Sequence, residues 1–161
     1  MAGSWPPDNF PDLKSPDYKV TSPATRRYNC LAWAAGETGR RWEPDPLGIY
    51  YWPSRVPRVR TMGAVVAAYG SLGFSLCFSA ALEAGVEKVA LFGVSRGEAV
   101  IPTHAAVQLE SGQWSSKIGD FEDISHSAVE AVSGPIYGKV ICFLQRPRPN
   151  PMPPILQSRL G

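Results

Sequence analysis

The sequence predicts an α+β domain in which two short helices precede mostly antiparallel strands. Residues 29–35 (NCLAWAA) have the pattern of a short helix that ends near Gly36. Residues 61–72 carry apolar side chains at helical spacing after Thr61, a favourable N-cap residue. Apolar and alternating segments typical of strands follow. Because the helices come first and the strands after them, the order of elements indicates an α+β architecture.

Five segments have strand patterns. They cover residues 74–78, 86–94, 104–109, 113–118 and 137–144. The second of these contains KVALFGV, a pattern typical of a strand that is buried in the core. Residues 127–132 are predicted to form one or two helical turns. We find no internal repeat.

A hairpin signal lies between the third and fourth predicted strands, at residues 110–112 (ESG). The length of this loop decides which side chain lies beside His104. A three-residue loop places Ala106 opposite Ser116, and Ser116 is then diagonal to His104 on the same face of the sheet. A two-residue loop would place Lys117 on that face instead.

The length of 161 residues fits one domain, and both ends of the chain are rich in proline. We predict an extended arm over residues 1–25, a single domain over residues 26–145 and a tail over residues 146–161. The composition of the tail favours polyproline II or disorder. Such a tail could dock on a partner domain, although an exposed tail without a partner is the simpler interpretation.

Composition excludes several classes of function. The 16 basic and 14 acidic residues give a net charge of +2, so we predict no nucleic-acid partner. No apolar stretch reaches about 18 residues, so we predict no membrane association. The N-terminus has no secretory signal pattern, which predicts a cytoplasmic protein, although signal-independent export would leave no trace. Three cysteines and two histidines at scattered positions predict no disulfide framework, no metal site and no cofactor.

Cys30 and His104 are the predicted catalytic pair. Cys30 lies at the start of the first predicted helix, where unpaired backbone N–H groups and the helix dipole stabilise a thiolate. His104 begins a predicted strand, and the end of a strand places an imidazole at the rim of a sheet, where a helix N-terminus can meet it. A cysteine nucleophile with a histidine base is the arrangement of thiol hydrolases.

A third group usually orients the imidazole of such a pair. The hairpin register makes Ser116 one candidate. Asp120 and Asp123, which follow the predicted strand, are rival candidates because a carboxylate stabilises a charged imidazole more than a hydroxyl does. The sequence leaves this choice open.

These residues resemble the papain-like NlpC-type superfamily of cell-wall endopeptidases and amidases. In that superfamily an Asp-Cys-x-Gly-aromatic segment opens a helix, a buried strand precedes a strand that begins with His, and a turn leads to an aromatic and then a polar third residue. The corresponding positions here are residues 29–33, 89–92, 104–109, Gly112, Trp114 and Ser116. The resemblance covers roughly residues 28–118. It implies a papain-like fold, with the N-terminal helix that carries Cys30 packed on a small, mostly antiparallel sheet.

The chain also resembles a narrower group of small bacterial proteins of unknown activity. That group shares Asn-Cys-x-x-Trp-Ala, His-Ala-Ala and Trp-x-Ser-Lys-x-Gly segments, which begin here at Asn29, His104 and Trp114. The chain departs from the wider superfamily because Asn29 replaces an acidic residue, Ala32 replaces a glycine and Ser116 replaces a His, Asn or Gln.

We therefore predict a cysteine-dependent hydrolase or transferase. Its substrate is a peptide or a small amide, and the bond broken is an amide (peptide, isopeptide or glutamine-type) or a thioester. Cys30 attacks the carbonyl carbon, and His104 takes and returns the proton. The Cys30 N–H helps to hold the oxyanion, with Tyr28 or Asn29 as the second donor.

Two more residues are predicted to contact the substrate. Trp52 lies in an aromatic loop, and loops often carry recognition. Lys117 could bind a substrate carboxylate. Two alternatives to an enzyme remain: a non-catalytic binding or interaction domain in which Cys30 is inert, or a toxin-like effector.

Overall fold

A seven-stranded antiparallel sheet is the framework of the computed structural model, which describes residues 3–149. The strands are β1 (Tyr18–Ser22), β2 (Ser75–Cys77), β3 (Val86–Arg96), β4 (Ala99–Gln108), β5 (Trp114–Lys117), β6 (Asp123–His126) and β7 (Lys139–Pro147). Their order in the sheet is β1-β6-β5-β4-β3-β7-β2. Every pair of neighbours is antiparallel. The long strands β3 and β4 therefore lie near the middle of the sheet.

Two short helices connect to this sheet. Helix α1 spans Cys30–Ala34 and helix α2 spans Met62–Gly70. Each begins at a side-chain cap, Asn29 for α1 and Thr61 for α2. The chain after α1 turns at Gly36, whose φ of 86° lies in the left-handed region that glycine adopts without strain.

Both faces of the sheet are buried. Val89 and Leu91 of β3 pack in one core with α1 and α2, whereas Ala90 and Phe92 point into a second core on the opposite face. The N-terminal arm and the 3₁₀ turn over Val129–Val132 cover that second face. Because alternate side chains of β3 meet a core on each side, its sequence shows a continuous apolar run.

The predicted fold class is wrong. The sequence argument expected an α+β, papain-like fold with an N-terminal helix on a small sheet, whereas the structure is β-rich, with two short helices beside a seven-stranded sheet. Helix α1 has only five residues, so it cannot form a layer of its own. Strands β1 and β6 were not predicted from the pattern of apolar residues, because both segments are short and polar. Strand β1 forms by pairing with β6 across more than 100 residues, and β6 pairs with β5 on its other side.

Most of the individual elements were predicted. The structure confirms both helices and the five predicted strands, with β4 beginning five residues earlier than expected, at Ala99. The predicted three-residue hairpin loop is also confirmed, because Ala106 lies opposite Ser116 and the Leu109 N–H donates to the Gln113 carbonyl at 2.7 Å. This register excludes the alternative two-residue loop.

The predicted arm and tail are described only in part. Residues 18–22 of the arm form β1, and Trp5, Phe10 and Leu13 are buried against the sheet. The start of the predicted tail belongs to β7, which ends at Pro147. The rest of the tail, with its predicted partner, lies beyond residue 149 and outside the described residues. Within residues 3–149, no helix is both long and apolar enough to cross a membrane.

The two helix caps predict a measurable difference in stability. Thr61 accepts one hydrogen bond, from the Ala64 N–H at 3.1 Å, and we expect Thr61→Ala to lower the free energy of unfolding by about 1 kcal/mol. Buried Asn29 accepts from the N–H groups of Ala32 and Trp42 and donates to the Trp42 carbonyl. We expect Asn29→Ala to cost about 2–4 kcal/mol, because it leaves buried polar groups unpaired. Urea unfolding of both variants checks this, and equal losses would contradict it.

Candidate functional site

A cavity of about 170 Å³ lies between the start of α1, the loop that follows it and the middle of β4. We call it the Cys30 cavity. Cys30 and His104, the predicted nucleophile and base, both line it. The other lining residues are Asn29, Leu31, Arg41, Glu43, Pro44, Arg60, Val65, Pro102, Thr103, Gly119 and Tyr137.

Cys30 is the first residue of α1 and remains partly exposed. The backbone N–H groups of Ala105, Leu31 and Cys30 itself are oriented so that they favour the thiolate and act to lower the pKa of Cys30, as expected at a helix start. Burial of the sulfur outweighs this effect and raises the pKa of the Cys30 thiol. The raised pKa favours the neutral thiol at rest, whereas the sequence predicted a stabilised thiolate.

Helix α1 packs against β4, the strand that carries the predicted base. The N-cap residue Asn29 fixes the start of the helix, because its side chain accepts from the Ala32 N–H and bonds to the backbone of Trp42. Cys30, the next residue, is therefore held in place by the cap that precedes it.

His104 is almost completely buried, with 1% of its surface exposed. Its ring stacks on Tyr137 at a centroid distance of 4.0 Å and an interplanar angle of 8°, and it meets the edge of Phe92 at 5.3 Å. Burial, together with the nearby His126, holds the pKa of His104 well below its usual range. The imidazole is therefore neutral at neutral pH and can accept a proton.

Ser116 contacts His104 as the hairpin register predicts. The Ser116 Oγ lies 3.0 Å from Nε2 of His104 and 2.8 Å from Nε2 of His126. His126 in turn places its Nδ1 2.8 Å from the carbonyl oxygen of Ala128. Within residues 3–149, Nδ1 of His104 has no hydrogen-bond partner. The ring of His104 is thus held through one nitrogen, and the other is left free.

Asp120 does not contact His104. Its carboxylate accepts from Arg41 at 2.9 Å and lies 3.6 Å from Arg26, on the exposed side of the turn after β5. The pair ties Arg41, which lines the Cys30 cavity, to that turn. Of the candidates for the third group, Ser116 alone bonds to the imidazole in the described chain.

Tyr28 and Asp123 form a buried pair away from the Cys30 cavity. The Tyr28 hydroxyl donates to Asp123 at 2.5 Å, and burial followed by this bond raises the pKa of Tyr28. Lys117, beside them, is fully buried and donates its ammonium hydrogens to the carbonyls of Gly119 (2.9 Å) and Phe121. The structure does not bring Tyr28 or Lys117 to the lining of the cavity.

Two further residues predicted to contact the substrate, Trp52 and Asn29, form hydrogen bonds within the fold instead. Trp52 is 4% exposed, packs in the core beside the helices and donates its indole N–H to the Pro57 carbonyl. Asn29 lines the Cys30 cavity, but its side-chain N–H groups and oxygen bond within the fold. Neither side chain is free to contact a substrate as predicted.

Two residues that surround the imidazole, His126 and Tyr137, were not predicted to lie at the site. The sequence gives His126 no role there, since β6 carries no clear strand pattern and its pairing with β5 was not predicted. Tyr137 was placed at the start of a strand, whereas it precedes β7 and covers the face of His104. No signal in the local sequence could have placed either residue at the site.

The charged groups of the cavity are mostly paired. Arg41 forms an ion pair with Glu43 at 2.9 Å in addition to its bond to Asp120. Arg60 is exposed at the rim and has no acidic partner in the described chain. Between residues 3 and 149, no three His, Cys, Asp or Glu side chains are grouped closely enough to hold a metal ion.

A protein family described as a domain of unknown function, DUF7689, matches residues 19–145. The chain belongs to this family. The DUF7689 match runs from β1 into β7, so it contains the whole sheet together with Cys30, His104, Ser116 and His126. No curated protein and no solved structure matches the chain. The resemblance to the NlpC-type superfamily stays a prediction.

The raised pKa of Cys30 predicts how its alkylation depends on pH. A neutral thiol loses its proton only above its raised pKa, so the rate of reaction with iodoacetamide should keep rising through and beyond the ordinary thiol pKa of about 8.5. The measurement is peptide mass mapping across a pH series in a Cys77→Ser, Cys142→Ser double variant. A thiolate stabilised by a charged imidazole would instead give a rate plateau between about pH 5 and 7, which would contradict the prediction.

Proposed function

We propose that this DUF7689 protein is an acyl-transfer enzyme, a cysteine-dependent hydrolase or transferase that breaks an amide or thioester bond. One observation carries the proposal: a partly exposed cysteine with backbone N–H groups at its sulfur shares a cavity with a buried, neutral histidine that has one free ring nitrogen. These are the nucleophile, the anion-stabilising donors and the base that acyl transfer requires.

The reaction begins from two neutral groups. Nδ1 of His104 takes the thiol proton as the Cys30 sulfur bonds to the carbonyl carbon, which avoids a resting ion pair in a site where burial disfavours charge. The carbonyl oxygen becomes an oxyanion. The N–H of Cys30 can bond to it, and the second donor is the N–H of Leu31, since both precede the internal hydrogen bonds of α1.

The intermediate then collapses to an acyl-enzyme. The bond between the carbonyl carbon and the leaving nitrogen or sulfur breaks, and protonated His104 returns its proton to that atom. A water molecule or an acceptor amine next attacks the thioester carbonyl carbon, with His104 again removing a proton. The bond between that carbon and the Cys30 sulfur then breaks, and His104 returns the proton to the sulfur, which restores the neutral thiol. Transfer to water makes the enzyme a hydrolase, and transfer to an amine makes it a transferase.

The size of the cavity limits what can enter. Pockets that enclose a drug-sized ligand have volumes of about 300–1,000 Å³. The Cys30 cavity, at about 170 Å³, is smaller, so it admits a short acyl chain while the rest of the substrate stays outside. This supports a side-chain amide, such as that of glutamine, or a short thioester. The cytoplasmic location predicted from the sequence remains part of this proposal.

A second candidate function is a binding domain with an inert cysteine. The raised pKa of Cys30 favours this alternative, because a thiol that resists ionisation is a poor nucleophile without an effective base. The enzyme and the binding domain differ in whether Cys30 depends on His104. An enzyme needs His104 to activate Cys30, whereas a binding domain does not.

The test of the proposed function is the acylation of Cys30 by p-nitrophenyl acetate, an activated ester that is small enough for the cavity. We expect rapid acetylation of Cys30 with release of p-nitrophenolate, detected by absorbance and by peptide mass mapping. His104→Asn should slow this acetylation by about 10²-fold or more, because a general base contributes about 10²–10⁴-fold.

Two controls complete this experiment. Cys142→Ser should acetylate like the unsubstituted protein, whereas Cys30→Ala should release no stoichiometric burst of p-nitrophenolate. An identical rate of Cys30 acetylation with and without His104 would support the binding domain and would overturn the proposed enzyme.

A further inference from the structure

Three buried polar side chains form a row behind the Cys30 cavity. His104, Ser116 and His126 come from the neighbouring strands β4, β5 and β6, and each is at most 1% exposed. Ser116 lies opposite Ala106 on one side and Ile124 on the other. His104 is two residues from Ala106 on β4, and His126 is two residues from Ile124 on β6. Because side chains alternate between the faces of a sheet, all three side chains lie on the same face.

The row of side chains ends at the backbone carbonyl of Ala128. This carbonyl determines which ring nitrogen of His126 carries a hydrogen. Nδ1 of His126 is 2.8 Å from the carbonyl oxygen of Ala128. A carbonyl oxygen can only accept a hydrogen bond, so Nδ1 of His126 must carry a hydrogen. Burial lowers the pKa of His126, so the ring is neutral and has one N–H only. Its Nε2 is therefore an acceptor.

The same reasoning continues through the serine. Because Nε2 of His126 accepts, the Ser116 hydroxyl donates to it across 2.8 Å. The Ser116 oxygen then has lone pairs but no hydrogen for His104, so it accepts from Nε2–H of His104 across 3.0 Å. His104 is neutral as well, and its Nδ1 is left without a hydrogen.

We propose that His126 is a positioning residue which acts through Ser116 to hold His104 in the tautomer whose Nδ1 can take a proton from Cys30. The Ala128 carbonyl is the fixed end of the row. The role given to Nδ1 rests on the proposed function, whereas the tautomer itself follows from the hydrogen bonds between two buried, neutral rings.

The opposite tautomer would disable the base. If Nε2 of His126 did not accept, the buried Ser116 hydroxyl would need another acceptor, and Nε2 of His104 is the remaining nitrogen beside it. His104 would then carry its hydrogen on Nδ1 and could not take the thiol proton there. A histidine with the wrong tautomer loses its catalytic effect even though its position is unchanged.

Nitrogen NMR on the unsubstituted protein is the first test. The ¹⁵N shifts and ring couplings of a neutral histidine report which nitrogen carries the hydrogen. We expect His104 to be protonated on Nε2 and His126 on Nδ1. A His104 ring protonated on Nδ1 would overturn the proposal. This NMR measurement requires neither a variant nor a substrate.

Two substitutions of His126 provide the second test. His126→Leu removes the acceptor, so we expect the hydrogen of His104 to move to Nδ1 and the acetylation of Cys30 by p-nitrophenyl acetate to slow by about 10²-fold. His126→Gln keeps an acceptor oxygen for Ser116, so it should retain the Nε2–H tautomer and most of the rate. A purely structural role would not move the tautomer. Should His126→Leu not fold, the His104 tautomer of the unsubstituted protein still tests the proposal, since a hydrogen on Nδ1 would overturn it.

The proposal and the proposed function can fail separately. An unchanged His104 tautomer in folded His126→Leu would overturn the positioning role, whatever the rate. If His104→Asn leaves the acetylation rate unchanged while the tautomer still depends on residue 126, the enzyme proposal fails and the hydrogen-bonded row stands. Glu110→Gln is the matched control, because exposed Glu110 lies 3.8 Å from Arg148, outside both the row and the Cys30 cavity, and should change neither the tautomer nor the acetylation rate.

Discussion

The candidate site depends on the pairing of β4, β5 and β6. Side chains alternate between the two faces of a sheet, so a shift of one residue in either pairing would move Ser116 or His126 to the other face. The observed register instead places His104, Ser116 and His126 in one row that crosses three strands. The three-residue turn over 110–112 sets the first pairing, and the turn after Lys117, held by that residue's buried ammonium group, supports the second.

Burial on both faces of the sheet determines the protonation states at the site. The N-terminal arm and the turn over Val129–Val132 cover the face that carries His104, and Tyr137 stacks on its ring. The low dielectric there opposes charge, which lowers the pKa of His104 and raises that of Cys30. Both groups are therefore neutral at rest.

Helix α1 has too few residues to be stable alone, so its position depends on tertiary contacts. Asn29 caps it and bonds to Trp42, the Tyr69 hydroxyl donates to the Leu31 carbonyl at 2.7 Å, and the Trp33 indole N–H donates to Ser115 at 2.9 Å. These bonds place the first turn of the helix against β4. A short helix held in this way can present Cys30 and its backbone N–H groups without forming a layer of the fold.

Local pattern predicted the helices, five strands and the hairpin register, because each depends on residues that are close in sequence or on the period of a strand. It also proposed Cys30 and His104 as a pair, and the fold brings both residues to the lining of one cavity. It did not predict the β-rich fold, since β1 and β6 are short and polar and β1 pairs with β6 across more than 100 residues. Nor did it place Asp120 with Arg41 or His126 behind Ser116, because these contacts join separate elements. The sequence by itself determined which residues could do chemistry, whereas tertiary packing decided which of them meet and in which protonation state, since burial and long-range pairing exist only in the folded chain.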